Sequence, residues 1–301
     1  ELQLNYEKNR TLSFFSSTFF LSGAWDEGHG EVHSRSIRNP LVVGAGSKSL
    51  QSLQMLRYRS LRLSNRTRWV HRTAGGAGFE WSSTNSLSST PQALSLEGSK
   101  TARQDLSISS YSSVNRFELL GKIQSRHWTL SATGHLDATY TTLHSLLSHP
   151  DIHRATQGKL SHLHTRLAFG PVARYSHGAL QGTLSLPLAL SYTALDNAPI
   201  QGEHNDAQRL HLYLQPSLSL IWKASDSYSL QANASYSTSE TPWRQLLSAT
   251  VMQSYRSLSR YRATLHDSPS VSADARLSYR DLFSRIFAHI GAGWYRSWSD
   301  I

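Results

Sequence analysis

Fifteen histidines, with serines, aspartates and arginines, supply most of the residues in this 301-residue chain that could do chemistry. Two pairs stand two residues apart, a spacing that puts both side chains on one face of a β-strand. They are His162 with His164 and His135 with Asp137. A strand pair of this kind can chelate a metal ion. The sequence fixes no third ligand, so we assign these residues, with Arg166, to a polar strand face and predict neither a metal site nor a cofactor.

Catalytic motifs are missing from the sequence. Serine, histidine and aspartate are abundant, so composition alone does not exclude a hydrolytic triad. However, there is no G-x-S-x-G elbow, and no segment has the strand–turn–helix pattern that this motif needs. The glycine-rich stretches at Gly44 and Ala74 are not followed by a helical pattern, as a phosphate-binding loop would be. We therefore predict that the protein is not an enzyme.

The candidate ligand-binding residues lie between Thr238 and Asp267, the longest connection between predicted strands. Aromatic rings stack on sugars or apolar ligand parts, and arginine pairs with carboxylate or phosphate. The residues with such side chains are Trp243, Arg244, Tyr255, Arg256 and Tyr261. The alternative is a structural cap, in which Tyr255 and Arg256 only brace the loop. A short helix is predicted over Gln245–Arg256, because apolar residues there recur at helical spacing.

Long segments of alternating apolar and polar residues must position these side chains. In Trp128–Thr142, even positions are apolar and odd positions polar, the period of a β-strand. Trp128 and Tyr140, at the two ends of the apolar set, would be about 30 Å apart along the axis of a tilted barrel. This separation matches an apolar membrane band with aromatic rings at each edge. The alternation recurs in Leu180–Ala194, Leu210–Trp222, Tyr228–Tyr236, Val271–Tyr279 and Ile286–Trp294.

The connections between these segments alternate in length. Long ones fall near Leu143–Gln157, Leu195–Gln208 and Thr238–Asp267, and short ones near Ser176–Ala179, Ala224–Ser227 and Asp281–Ser284. Bacterial transmembrane barrels have short periplasmic turns and longer extracellular loops. On that assignment the inner aromatic row comprises Trp128, Tyr175, Trp222, Tyr228 and Tyr279, and the outer row comprises Tyr140, Tyr192, Tyr236 and Trp294. The polar face, with His135, Asp137, His162, His164 and Arg166, would then face the lumen.

Composition agrees with this interpretation. Charged residues are 17% of the chain, and serine and threonine fill the polar phase of the strands instead. No run of about 18 apolar residues predicts a membrane-spanning helix. The net charge of +10 is carried mostly by arginine, and with no cysteine there is no disulfide or thiolate metal site. The arginines are dispersed, which argues against nucleic-acid binding and favours contact with anionic lipopolysaccharide and outer-membrane lipid.

We therefore predict an all-β fold, a transmembrane antiparallel β-barrel of about twelve strands. Residues 1–301 are expected to form one outer-membrane barrel segment, an incomplete portion of a larger barrel. Residues 1–100 give less regular strands, and residues 101–301 give regular long hairpins. Within Thr101–Gln124 the alternation is disturbed at Asn115 and Arg116, which predicts a β-bulge there.

Short phrases across nearly the whole chain resemble the barrels of TonB-dependent receptors of the Bacteroidota type. They are LQLNYEKNRTLSFFSSTFFLSGAW, PQALSLEG, RFELLGKI, HLYLQPSLSL, VMQSYRSLSRY and SVSADARLSYRDLFSRIFAH. The resemblance implies a 22-stranded barrel around a plug domain, with uptake energised by a periplasmic partner. No plug or TonB-box sequence occurs in these 301 residues, so no coupling residue is carried over.

The sequence thus supports an outer-membrane receptor that takes up a nutrient through a polar lumen. The partners that the resemblance implies are TonB, a surface lipoprotein and a small-molecule, peptide or glycan substrate. Two other hypotheses stay open, a non-transporting barrel that serves as scaffold or adhesin, and a soluble β-sandwich. The spacing of the aromatic rows argues against the sandwich. No residue pattern identifies the substrate.

Overall fold

The computed structural model describes residues 1–34, 50–75, 77–98, 101–148, 156–199, 205–241, 246, 250–254, 257–260, 265–281 and 283–298. Its strands are β1 (Leu2–Arg10), β2 (Ser13–Ser34), β3 (Leu50–Arg72), β4 (Gly78–Gly98), β5 (Ala102–Gln124), β6 (Trp128–Ser148), β7 (Thr156–His177), β8 (Leu180–Ser185), β9 (Leu188–Pro199), β10 (Asn205–Leu214), β11 (Ser217–Lys223), β12 (Tyr228–Glu240), β13 (Thr250–Ser254), β14 (Ser257–Arg260), β15 (Asp267–Asp281) and β16 (Ile286–Ser297). No helix among these residues is long and apolar enough to span a membrane.

Fourteen strands form one antiparallel sheet, and β13 and β14 form a separate hairpin. Neighbours in the sequence pair in space, so the chain runs up and down in a meander. In the described residues β1 and β16 are edges, and the sheet does not close on itself. The predicted all-β antiparallel fold is confirmed, and the open sheet matches the predicted portion of a barrel.

Two crossings of the sheet are divided by proline. Pro187 separates β8 from β9 and Pro216 separates β10 from β11, so the fourteen strands make twelve crossings. Proline has no N–H to donate to a ladder, and it therefore interrupts strand pairing. At the first interruption, a Cβ on Gly170 of β7 would overlap the backbone of Leu186 and Pro187. Glycine is thus required at position 170, where the backbone of Leu186 and Pro187 approaches β7 closely.

The sheet has a polar face and an apolar face. We define the polar face as the one that carries His135, Asp137, His164 and Arg166, which the registers of β6 and β7 place together. Large apolar side chains on the opposite face are exposed, with Leu212 at 59% and Leu188 at 50%. Thr141, Ser191 and Thr193 on the polar face are less than 4% exposed. This distribution is the reverse of that in a water-soluble protein, which buries most large apolar side chains and exposes polar ones.

The described N-terminal strands are as long as the later ones, since β2, β3 and β4 have 21 to 23 residues. The alternation of apolar and polar residues is weaker in these strands because polar residues occupy part of the apolar phase. A polar patch interrupts the apolar face of β2 to β5, and its side chains hydrogen-bond within the patch. It comprises Ser17, Asn65, Thr67, Ser83, Asn85, Ser113 and Asn115.

Two local predictions are wrong. There is no bulge at Asn115 and Arg116, where pairing with β6 is regular, and the register shifts between Leu119 and Ile123 instead. The disturbed alternation at Asn115 comes from the polar patch. The predicted helix over Gln245–Arg256 is contradicted by β13, whose residues Thr250 and Val251 are β-branched and favour a strand.

Candidate ligand-binding site on the polar face

The end of the β12–β15 hairpin lies over the polar face of β9 and β10. Strict alternation would put Glu240 and Asp267, which face each other in the register, on the apolar face with Tyr236 and Val271. Their carboxylates nevertheless contact polar-face side chains of β7, β9 and β10. The last hydrogen bond between the β10–β11 crossing and β12 runs from Tyr236 N to Pro216 O. Beyond Pro216, the β12–β15 hairpin no longer pairs with the β10–β11 crossing, and its end lies over the polar face of β10.

Glu240 is held by three polar side chains of β7 and β9. Its Oε2 lies 2.8 Å from His164 Nδ1 and accepts a 2.6 Å hydrogen bond from the Thr193 hydroxyl. The Ser191 hydroxyl donates to Oε1. The three partners are adjacent because His164 pairs with Thr193 and both Ser191 and Thr193 point to the polar face of β9. Together they form a pocket for one carboxylate.

The pKa of Glu240 is low because of this pocket. Glu240 lies four residues beyond Tyr236, outside the span between the predicted aromatic rows. Burial is the largest influence and raises the pKa, whereas hydrogen bonds from His164, Ser191 and Thr193, with the charge of His164, lower it. The hydrogen bonds and the charge of His164 outweigh burial, and the pKa of Glu240 falls from 4.5 to about 2. The side chain is therefore a carboxylate at any physiological pH.

Asp267 occupies a second pocket beside the first. Its Oδ2 lies 3.0 Å from Arg209 Nη2 and also contacts His211 Nδ1. Arg209 and His211 are cross-strand partners of Thr193 and Ser191, so the two carboxylate pockets are contiguous on the sheet. Arg209 Nη1 further donates to Leu265 O at 3.4 Å, which ties the segment before β15 to β10.

Apolar contacts hold the same loop further along the polar face. Leu246, which is 2% exposed, packs against Leu143, Leu160 and Leu195. These three leucines occupy polar-face positions by register, although their side chains are apolar. Leu265 also packs against this cluster, and the β13 hairpin strand contacts β6. The described residues of the connection between β12 and β15 thus contact the polar face at positions from β10 to β6.

The structure brings together some of the predicted polar-face residues. His162, His164 and Arg166 follow one another on β7, and His164 is a carboxylate ligand. Arg166 donates to Gln215 through Nη2. Asp137 lies opposite Arg166 in the β6–β7 register, and His135 is one step further from the two carboxylate pockets. The predicted loop residues Trp243, Arg244, Tyr255, Arg256 and Tyr261 lie outside the described residues.

Several polar atoms beside the pockets have no hydrogen-bond partner in the part of the chain that the structure describes. His162 is 6% exposed, and neither of its ring nitrogens is paired in the described structure. Arg166 Nε and Asp137 Oδ1 are also unpaired. Buried polar groups in native proteins are almost always satisfied, so unpaired ones call for an explanation such as a ligand or solvent. Among the described residues, no three histidine or acidic side chains are grouped as a metal site would need.

Sequence reasoning missed Ser191, Thr193, Arg209, His211, Glu240 and Asp267 as parts of this site. One signal was available: Glu240 and Asp267 are charged residues at apolar-phase positions of their strands. A carboxylate in that phase indicates that the hairpin end does not face lipid.

Comparisons with known proteins gave structural similarity only. No family model and no curated protein matches the chain. The ferric yersiniabactin uptake receptor FyuA from Yersinia pestis is similar at 11% identity and a TM-score of 0.46, covering 98% of this chain and 52% of its own. The alcaligin outer membrane receptor FauA from Bordetella pertussis is similar at 12% identity and a TM-score of 0.46, covering 95% and 46%.

A third similar structure is the translocator domain of the autotransporter NalP from Neisseria meningitidis, at 9% identity and a TM-score of 0.34, covering 97% of this chain and 89% of its own. The chain spans about half the length of FyuA and FauA.

Proposed function

We propose that the chain is a membrane-spanning portion of an outer-membrane β-barrel that takes up a nutrient, with its apolar face towards lipid and its polar face towards the lumen. The observation that carries this proposal is the exposure of large apolar side chains along one face of every crossing from β6 to β11. Soluble monomers rarely expose apolar patches larger than a few hundred Å². A lipid environment gives these side chains the burial that the fold itself does not.

The polar face supports a water-filled lumen. Ion pairs and hydrogen bonds cross it between strands, as in Arg174 with Glu118 and Ser131, and Arg68 with Glu80. Such side chains would be costly against lipid, where Arg at mid-depth destabilises a barrel by about 2–4 kcal/mol. In a hydrated interior they remain solvated and present polar groups to a passing solute.

Uptake, as opposed to a scaffold role, is supported by the polar side chains that β7, β9 and β10 present beside Glu240 and Asp267, some of which have no hydrogen-bond partner among the described residues. A site of this kind suits a small-molecule substrate. TonB and a surface lipoprotein belong to the proposal as energising and capturing partners.

Labelling in intact cells tests the membrane placement. Because the chain has no cysteine, single cysteines can replace Ser148, at the end of β6, or Ser227, in a short turn. With the short turns in the periplasm, an impermeant maleimide labels Ser148→Cys from outside and labels Ser227→Cys only after the outer membrane is opened. Labelling of Ser227→Cys but not Ser148→Cys on intact cells would reverse the orientation, and equal labelling of both would contradict outer-membrane insertion.

A further inference from the structure

Two carboxylate pockets on the polar face are filled by the chain's own acids. The first, made by His164, Ser191 and Thr193, holds Glu240. The second, made by Arg209 and His211, holds Asp267. Each pocket combines hydroxyl, imidazole or guanidinium donors, the groups that give strong charge-assisted hydrogen bonds to carboxylates. The donors therefore select for an anionic group whether or not the chain supplies it.

The geometry of the two acids defines what could replace them. Glu240 and Asp267 are directly paired in the β12–β15 register, and paired residues of antiparallel strands have Cα atoms about 4.5–5.5 Å apart. The two pockets therefore accept carboxylates held close together. A small molecule with two acid groups on a short chain presents the same arrangement, and neither a neutral solute nor a single acid fills both pockets.

Unpaired groups beside the pockets indicate that the chain's own acids do not satisfy the whole site. His162 is buried, its two ring nitrogens have no partner among the described residues, and it stands two residues from His164 on the same strand face. Arg166, with Nε unpaired, stands two residues from His164 on the other side. An unpaired buried polar group costs about 1–3 kcal/mol. A ligand that hydrogen-bonds to His162 and Arg166 would remove this cost, and its binding free energy would become more favourable.

Resting on the proposed function, we propose that this cluster binds a small di- or polycarboxylate, which enters by displacing the carboxylates of Glu240 and Asp267. The donors that hold Glu240 and Asp267 without ligand also set the selectivity for an anion.

Titration calorimetry of the full chain in detergent micelles, with glutarate as the probe, tests this proposal. Glutarate should bind, and its neutral diamide glutaramide should not. The double variant Glu240→Ala/Asp267→Ala should bind glutarate about tenfold or more tightly, since no internal acid has to be displaced. The variant Asp274→Ala is the matched control, because Asp274 lies on β15, accepts a hydrogen bond from Asn233 and is outside the cluster. Its affinity should equal that of the unaltered protein.

Adding His164→Gln and Arg209→Gln to the Glu240→Ala/Asp267→Ala variant should lower its glutarate affinity about tenfold or more, because donors are then lost with no internal acid in competition. If this fourfold variant does not fold, the Glu240→Ala/Asp267→Ala variant still decides the question. Unchanged or weaker glutarate binding in that variant, equal binding of glutaramide, or no glutarate binding to any variant overturns the proposal. These outcomes are separate from the labelling of Ser148→Cys and Ser227→Cys, so the carboxylate site and the membrane placement fail independently.

Discussion

Glu240 is the residue whose ionisation most directly affects the loop over the polar face. Its pKa of about 2 lies below the ordinary value of 4.5 because His164, Ser191 and Thr193 hydrogen-bond to the charged form. A group with a lowered folded-state pKa stabilises the fold at pH values above its unfolded pKa and loses this contribution as the pH falls towards the folded pKa. The stabilisation from Glu240 should thus be complete above about pH 4.5 and should disappear between there and about pH 2.

This prediction is tested by comparing the unaltered protein with Glu240→Gln. The free energy of unfolding, measured in denaturant at pH 6 and at pH 3, should fall more for the unaltered protein, because glutamine has no charge to lose. Asp274→Asn serves as control and should follow the unaltered protein. Parallel pH dependence of the unaltered protein and Glu240→Gln would show that the pocket does not stabilise the charged carboxylate.

At the scale of elements, the connection between β12 and β15 is held at its ends by carboxylates and in between by Leu246. Leu246 is 2% exposed among Leu143, Leu160 and Leu195, so Leu246→Ala removes apolar contacts and leaves a cavity. Leucine-to-alanine changes in cores cost about 2–5 kcal/mol. Here the cost falls on docking of the segment, since the ladders of β12 with β15 and β11 do not involve Leu246.

Limited proteolysis measures this docking. Cleavage within residues 241–266 should be faster in Leu246→Ala by a factor of about 30 or more, the ratio to which about 2 kcal/mol corresponds, whereas cleavage elsewhere should be unchanged. Leu12→Ala is the matched control, because Leu12 is an exposed leucine in the turn before β2 and its change should leave the cleavage rate alone. Equal rates in both variants would mean that Leu246 does not anchor the segment.

The elements themselves were largely predictable from the sequence, and the site was not. Two-residue alternation predicts β6, β8 to β12, β15 and β16, because side chains of a strand point alternately to opposite faces. It does not reveal that the end of the β12–β15 hairpin lies over the polar face of β10. That position depends on the end of strand pairing at Pro216 and on contacts between distant strands. The predicted helix failed for a similar reason: the apolar spacing in 245–256 was helical, but pairing of β13 with β14 prevailed.

At the scale of the whole molecule, the two faces of the sheet explain its composition. Serine and threonine occupy most of the polar phase, and leucine, alanine and aromatic residues occupy the apolar phase, so a chain with 17% charged residues still has one predominantly polar face. The polar patch on the apolar face of β2 to β5 is internally hydrogen-bonded, which lowers the cost of placing it against lipid. We therefore extend the proposed lipid contact to the apolar face of β2 to β5.

The central claim is that one face of this sheet contacts lipid and the other contacts water. Nitroxide spin labels placed one at a time at Ser217, Leu218, Ser219 and Leu220 of β11, in the full chain reconstituted into lipid vesicles, test it directly. We predict that collision rates with oxygen, which concentrates in lipid, are high at 218 and 220 and low at 217 and 219, and that collision rates with a water-soluble nickel chelate show the opposite alternation. Accessibility to the nickel chelate at all four positions, or the same collision rates throughout, would contradict the claim.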